Sequence, residues 1–392
     1  MAALAATGAF AQSSVTLYGR MDLGMAVGKA DTTTAAGVTT TAKATELAGA
    51  ENNWTGSRLG VRGSEDLGGG LKANFAYEFR LAPDATSAAG VTGSNWGRTR
   101  TAMLQVAGGF GSVTIGTYSN PFDDMRFGAG IYGAGPVANI PGAYTLDKSP
   151  IALSSRSTNA IGYRSPLFAG GFFASVGTTL QNVESSATVN SKTSGYIGSV
   201  GYGNGPISAL AVYGQGTSKV STAAAAAVPF AFPTLTANGV LGTAAAAATS
   251  GENRAKDFGL RASYDLGVAV PYIQYENVKA TSTNLLSGAQ GETSSRGYEI
   301  GSTFPMGAFT PYILFANNKF SAANGGTATG STAATSVAGP KAAKTTAFQL
   351  GTKYDLSKRT FVYGGYGASA TKIETVNEVK STGFGLGLVH NF

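Results

Sequence analysis

The chain has 392 residues, and its 28 lysines and arginines against 21 aspartates and glutamates give a formal net charge of +7. It contains no cysteine and a single histidine, which excludes zinc fingers, thiol enzymes and disulfide scaffolds. Only 12% of the residues are charged, roughly half the share of a soluble protein, whereas 17 Tyr and 20 Phe exclude a disordered chain. The basic excess is too small and too scattered for a nucleic-acid-binding protein.

The N-terminus has the composition of an export signal. Residues 1–11 are small and apolar and end in Ala9-Phe10-Ala11, which is the pattern of a signal-peptidase site. We therefore predict a signal-peptide remnant over residues 1–11 and a single domain over residues 12–392. No later stretch reaches the ~20 consecutive apolar residues of a transmembrane helix.

From residue 13 onwards, apolar and polar residues alternate with a period of two. Leu71, Phe75 and Phe79, for example, alternate with Lys72, Asn74 and Glu78, and such alternation predicts strands with one apolar and one polar face. The predicted strands are 13–29, 55–65, 71–81, 98–108, 111–118, 156–165, 171–183, 194–203, 206–217, 255–265, 268–280, 294–304, 308–320, 344–355, 359–371 and 380–392.

The connections between these strands decide between two all-β architectures. Alternation alone fits both a soluble sandwich and a barrel in lipid. Short Gly- and Asp-rich turns alternate strictly with long polar segments along the chain, however, and a sandwich has no reason to sort its loops in this way. We predict an all-β fold: a 16-stranded antiparallel transmembrane β-barrel with short periplasmic turns and long external loops, the third of which spans residues 119–155.

Three segments carry a family resemblance. The opening Ser14-Val15-Thr16-Leu17-Tyr18-Gly19, the block from Ser57 to Ala73 and the ending His390-Asn391-Phe392 resemble the general porins of Gram-negative outer membranes, in particular the beta-proteobacterial trimeric branch. The resemblance implies a homotrimer of sixteen-stranded barrels through which solutes diffuse passively. It also implies that the third long loop, 119–155, folds inward, and that wall arginines face acids of this loop across a constriction. A C-terminal assembly signal at Phe392 is a further implication.

Candidate pore residues follow from strand phase and from the resemblance. Arg20, Arg58, Arg156 and Arg164 lie on the polar face of their predicted strands, where charge costs little in a water-filled lumen. Arg100 shares the phase of Leu104 and Val106, so it faces the lumen only if a bulge intervenes, and Arg98 is the fallback. The resemblance assigns Asp123 and Asp124 to the acidic side of the constriction.

Catalytic, metal and cofactor sites are not predicted. The single histidine, His390, lies in phase with apolar residues near the chain end, which is unsuited to a catalytic base. A Gly-x-Gly-x-x-Gly match at 128–133 sits inside a long loop without the strand and helix of a dinucleotide site. Asp123 and Asp124 are adjacent loop acids, more typical of a pore lining than of a glycosidase pair.

The predicted function is an outer-membrane channel for small hydrophilic solutes and ions, with a preference for anions. The expected partners are these solutes, outer-membrane lipid and lipopolysaccharide, the barrel-assembly machinery and two further copies of the chain, but no nucleic acid. The alternatives are a receptor or adhesin barrel that binds a partner through its long loops, an outer-membrane enzyme and a soluble β-protein.

Overall fold

The computed structural model describes residues 14–48, 56–81, 96–127, 153–185, 189–222, 251–285, 290–323, 341–373 and 377–392. These residues form seventeen strands and one helix, α1 (Pro121–Phe127). The strands are β1 (Ser14–Thr34), β2 (Thr39–Ala48), β3 (Arg58–Gly68), β4 (Leu71–Leu81), β5 (Trp96–Gly108), β6 (Gly111–Ser119), β7 (Arg156–Arg164), β8 (Phe172–Ser185), β9 (Val189–Asn204), β10 (Ile207–Thr222), β11 (Gly251–Tyr264), β12 (Val270–Asn284), β13 (Gln290–Thr303), β14 (Phe309–Ala323), β15 (Lys341–Asp355), β16 (Thr360–Ile373) and β17 (Asn377–Asn391).

The described strands form one closed antiparallel sheet. From β3 to β17 each strand pairs with its sequence neighbours, and β17 pairs with β1 to close the ring. Strands β2 and β3 both pair with β1, the former along residues 24–33 and the latter along residues 14–20. They therefore occupy a single position in the wall, and the predicted sixteen-stranded barrel is confirmed.

The period of two sorts the side chains between the two faces of the wall. On β17, Phe384, Leu386 and Leu388 are 45–49% exposed on the outside, while the intervening glycines are buried. Outward aromatic residues on neighbouring strands form a band, which we call the aromatic girdle: Phe258, Tyr275, Tyr298, Phe315, Phe348, Tyr366 and Phe384. Such girdles lie at the membrane–water interfaces of outer-membrane barrels.

The strands agree with the predicted ones except near the long connections. Strand β4 has the predicted bounds, but β1 extends to Thr34 and β2 lies within the segment that we expected to be a loop over residues 30–53. The sequence of β2 is Thr- and Ala-rich and does not alternate between apolar and polar residues. Its pairing with β1 stabilises a strand that hydrophobic periodicity cannot reveal.

Among the described residues, no helix is long and apolar enough to cross a membrane.

Candidate functional site: an arginine cluster inside the barrel

Arginines from adjacent wall strands gather on the inner face. The register places Arg58 of β3 between Arg20 of β1 and Arg80 of β4. The Glu78 carboxylate lies 2.7 Å from Nε of Arg100 and 3.9 Å from Nη1 of Arg58. We call Arg20, Arg58, Arg80, Arg100 and Arg156 the arginine cluster.

Arg156 joins this cluster from β7, because its Nε donates a hydrogen bond of 2.9 Å to the carbonyl oxygen of Arg100. The side chains of Arg58 and Arg100 remain 20% and 18% exposed, so their guanidinium groups line the space enclosed by the wall. Among the described residues of the wall strands, the carboxylates near the cluster are Glu78 and Asp22, the latter accepting a hydrogen bond from Tyr363. Five arginines against two acids leave the cluster positively charged.

A bulge turns Arg100 toward the lumen. Thr99 pairs with Phe79 and Thr101 pairs with Glu78, so Arg100 is an extra residue in β5 opposite consecutive residues of β4. A bulge changes the phase of the side chains on either side of it, and Arg100 therefore reaches the inward carboxylate of Glu78 despite its sequence phase. The side chain of Arg98, the fallback residue, lies outside the described part of the structure.

Arg164 lies apart from the cluster. It is eight residues from Arg156 on the same strand, or about 26 Å at 3.3 Å per residue. Its guanidinium stacks on Phe173 at 4.0 Å from the ring centroid and approaches the Asp124 carboxylate at 3.5 Å. Both side chains of this ion pair are about half exposed, so it contributes only about 0–1 kcal/mol to stability.

Asp123 and Asp124 lie on helix α1, at the start of the third long connection. Asn120 caps this helix, since its Oδ1 accepts the Phe122 N–H at 3.0 Å, and Pro121 occupies the first helical position, where its missing N–H costs nothing. Asp123 attracts Arg156 electrostatically. Atoms of the barrel wall partly desolvate the half-exposed Asp124 carboxyl and raise its pKa above the ordinary range, and Arg164 opposes this shift.

Apolar residues on the inner wall hold α1 in place. Phe122 and Met125 are fully buried against Val212, with Ile197 and Leu210 beside them. Gly214 and Gly259 provide the room, because a Cβ at either position would collide with Phe122 or Met125. Ile197, Leu210 and Val212 face inward, contrary to the polar lining expected of a lumen. Aliphatic residues in the inward phase of β9 and β10 are thus a sequence signal that could have located this contact.

A buried ion cluster, which we call the latch, fixes the same helix. The Arg126 guanidinium donates to Asp257 of β11 at 2.9 Å and also binds Glu276 of β12. All three side chains are at most 4% exposed. Asp257 also accepts the backbone N–H of Leu153 at 3.0 Å, so one carboxylate holds both ends of the connection between α1 and β7. The sequence alone did not assign these residues to a site.

Phe392 takes part in closing the ring. Its N–H donates to the Gly19 carbonyl oxygen at 3.1 Å and its carbonyl oxygen accepts the Gly19 N–H at 3.0 Å. Its ring lies against Gly19, where no Cβ would fit. The chain end thus joins the first strand through backbone hydrogen bonds as well as through an aromatic contact.

Other residues considered from the sequence have no catalytic setting. His390 is exposed, and its Nδ1 lies 2.8 Å from the hydroxyl of Thr360. No group of three or more acidic or histidine side chains that could hold a metal occurs in the part of the chain described here. Residues 1–11 and the glycine-rich match at 128–133 lie outside the described residues.

A family model described as Gram-negative porin matches residues 1–241 and 234–373. The chain belongs to this family. Outer membrane porin protein 32 of Delftia acidovorans is 36% identical over 213 residues, which are 53% of this chain and 56% of that protein. Major outer membrane protein P.IB of Neisseria gonorrhoeae is 30% identical over 43% of each chain. The matched region thus spans about half the length of these curated relatives.

Solved porins share the whole fold. The anion-selective porin from Comamonas acidovorans superposes with a TM-score of 0.60 at 23% identity, covering 97% of this chain and all of that one. OmpT of Vibrio cholerae in a trimer form gives a TM-score of 0.59 at 15% identity, with 97% and 99% covered. Membership of the porin family places the barrel in the outer membrane. The receptor or adhesin, enzyme and soluble alternatives are not favoured.

Proposed function

We propose that the chain forms a water-filled channel through which small hydrophilic solutes diffuse passively, with anions preferred. The observation that carries this proposal is the arginine cluster, in which five guanidinium groups and two carboxylates line one stretch of the inner wall. Fixed basic groups at a narrow aqueous passage attract anions and repel cations. The Comamonas acidovorans porin, which has the same fold and is anion-selective, supports the same direction.

Helix α1 forms the opposite side of this constriction. It carries Asp123 and Asp124 and lies against the inner wall of β9, β10 and β11 through Phe122 and Met125, while the cluster lines the wall from β1 to β7. A transverse field between the arginines and these acids orients dipolar solutes as they pass. Arg164 contacts Asp124, so it lies beside the acids of α1 and not within the arginine cluster.

Charge variants test these roles. Replacing Arg58 with Glu changes the wall by two charges and should shift the reversal potential in a salt gradient toward cations. Replacing Asp123 and Asp124 with Asn removes two negative charges and should shift it further toward anions. Planar bilayers at low salt are suited to this measurement, because the Debye length is ~10 Å at 0.1 M and shrinks at higher salt.

The outcomes separate the proposal from its alternatives. Opposite shifts of the two variants support the constriction, whereas wild-type potentials in both would reject the assignment of these residues while leaving a channel. A wild-type barrel that inserts but does not conduct would reject the channel itself. Unchanged heat-modifiable migration on gels is the control that both variants remain folded.

We also propose a homotrimer as the working assembly, supported by the trimer form of OmpT among the structural matches. Lipopolysaccharide in the outer leaflet and the barrel-assembly machinery, which would read the C-terminal Phe392, are the further partners that we propose. Chemical cross-linking of the protein in native membranes, followed by gel electrophoresis without heating, tests the trimer directly.

A further inference from the structure

Six basic residues form a row on the outer face of six consecutive strands. All six side chains are exposed and share the outward phase with the aromatic girdle. We call this set the basic row: Lys256 on β11, Lys279 on β12, Arg296 on β13, Lys319 on β14, Lys344 on β15 and Lys372 on β16.

The sheet register places like charges directly opposite one another. Lys319 faces Arg296 on one side and Lys344 on the other. Lys344 in turn faces Lys372, and Lys256 faces Lys279. Since like charges in directly opposed pairs destabilise a sheet, this row is unfavourable for the isolated barrel.

Acids of the chain do little to balance the row. Lys372 has Glu378 at 3.8 Å, but in the regions that the structure covers none of the other five has a carboxylate within 4.0 Å. On β13, Glu292 is exposed four residues from Arg296. Lysines also face each other on β9–β10 (Lys192 and Lys219) and on β1–β2 (Lys29 and Lys43), whereas the exposed side chains on the outer face of β5–β8 include Leu104, Ile115 and Leu180.

The height of the row on the barrel indicates what it faces. Each member lies two to six residues beyond an aromatic residue of the girdle on the same strand, which is about 7–20 Å at 3.3 Å per residue. The displacement is toward the long connections, the external side of such barrels. Because the girdle marks the membrane interface, the row lies at the level of the headgroups of the outer leaflet.

We propose that the basic row binds the phosphate groups of an anionic lipid in the outer leaflet. Lysine and arginine donate charge-assisted hydrogen bonds to phosphate oxygens, and a row of like charges along a lipid-facing wall gains stability when anionic headgroups lie between its members. The anionic headgroups of the surrounding membrane then offset the repulsion between the basic residues of the row. The proposal rests on the outer-membrane location and not on the selectivity of the channel.

A lipid-binding measurement on the full chain tests the proposal. The protein is purified in dodecyl maltoside and titrated with diphosphoryl lipid A, and bound lipid is counted by native mass spectrometry. In the variant Lys319→Gln/Lys344→Gln we expect the apparent affinity to fall at least about fivefold, since one basic residue near an anionic surface contributes roughly that factor. The matched control is Lys358→Gln/Arg359→Gln, which removes two exposed charges from the β15–β16 turn at the opposite rim and should bind lipid A as the wild type does.

Three results would overturn the proposal. The first is wild-type affinity for lipid A in the Lys319/Lys344 variant. The second is that the wild-type protein binds a dephosphorylated lipid A as tightly as the diphosphoryl form. The third is full competition by millimolar inorganic phosphate, which would make free phosphate rather than lipid the ligand. If the double variant does not fold, the single variant Lys344→Gln is measured against the same criteria. Conductance of the same preparations reports on the channel separately, and the basic-row variant should conduct as the wild type does.

Discussion

At the scale of single residues, the chain end shows how much depends on one side chain. Phe392 exchanges two backbone hydrogen bonds with Gly19 and packs its ring against that glycine. Deleting Phe392 removes both the backbone bonds and the ring, whereas Phe392→Ala keeps the bonds. The two variants therefore separate ring closure from recognition of the aromatic end.

We predict that deletion of Phe392 lowers the amount of folded barrel in the outer membrane, and that Phe392→Ala lowers it as well if the aromatic ring is read during assembly. Heat-modifiable migration of outer-membrane fractions measures the folded amount. Wild-type levels for the deletion would contradict a role in assembly. A defect confined to the deletion would assign the role to the backbone bonds with Gly19.

Single residues also mark the limits of sequence reasoning. The inward phase of Arg58 can be read from its apolar neighbour Leu59, because the alternation there is regular. The position of Arg100 depends on a bulge opposite Glu78 and Phe79, which the sequence left open as one of two possibilities. Bulges are set by the pairing of two strands, and the sequence of one strand alone does not contain that information.

At the scale of elements, the latch between α1 and the wall is the largest feature that sequence reasoning missed. Helix α1 has seven residues, too few to show a helical period, and its ion partners Asp257 and Glu276 lie 131 and 150 residues further along the chain from Arg126. Long-range partners of this kind cannot be found from local pattern. Strand β2 was missed for a different reason, because its composition resembles that of a loop.

We predict that Asp257→Ala releases α1 from the wall. Removing one partner of a buried ion cluster costs about 3–5 kcal/mol, and this carboxylate also binds the N–H of Leu153. Single-channel recordings should show larger current fluctuations than the wild type at the same voltage. The barrel should still fold, since the strand pairing of β11 does not involve this side chain.

The control for this variant is Asp31→Ala, which breaks a surface ion pair with Lys29. Exposed pairs of this kind contribute only about 0–1 kcal/mol, so the recordings should match the wild type. Quiet, wild-type currents in Asp257→Ala would show that the latch does not hold the helix in the pore.

At the scale of the whole molecule, the fold was the most predictable property. Alternation along the strands, together with the regular exchange of short and long connections, predicted sixteen wall strands, and the closed sheet confirms them. Alternate side chains of each strand point to opposite faces of the wall, and Phe384, Leu386 and Leu388 of β17 are exposed on the outer face. Contacts inside the lumen depend instead on which distant strands the ring brings together.

The measurement that most directly tests the central claim is the reversal potential of the wild-type channel in a potassium chloride gradient at low salt. The arginine cluster on the inner wall predicts a potential that indicates anion preference, and it predicts that the preference fades as salt is raised because the field is screened. A potential that indicates cation preference at low salt would contradict the proposed role of the cluster.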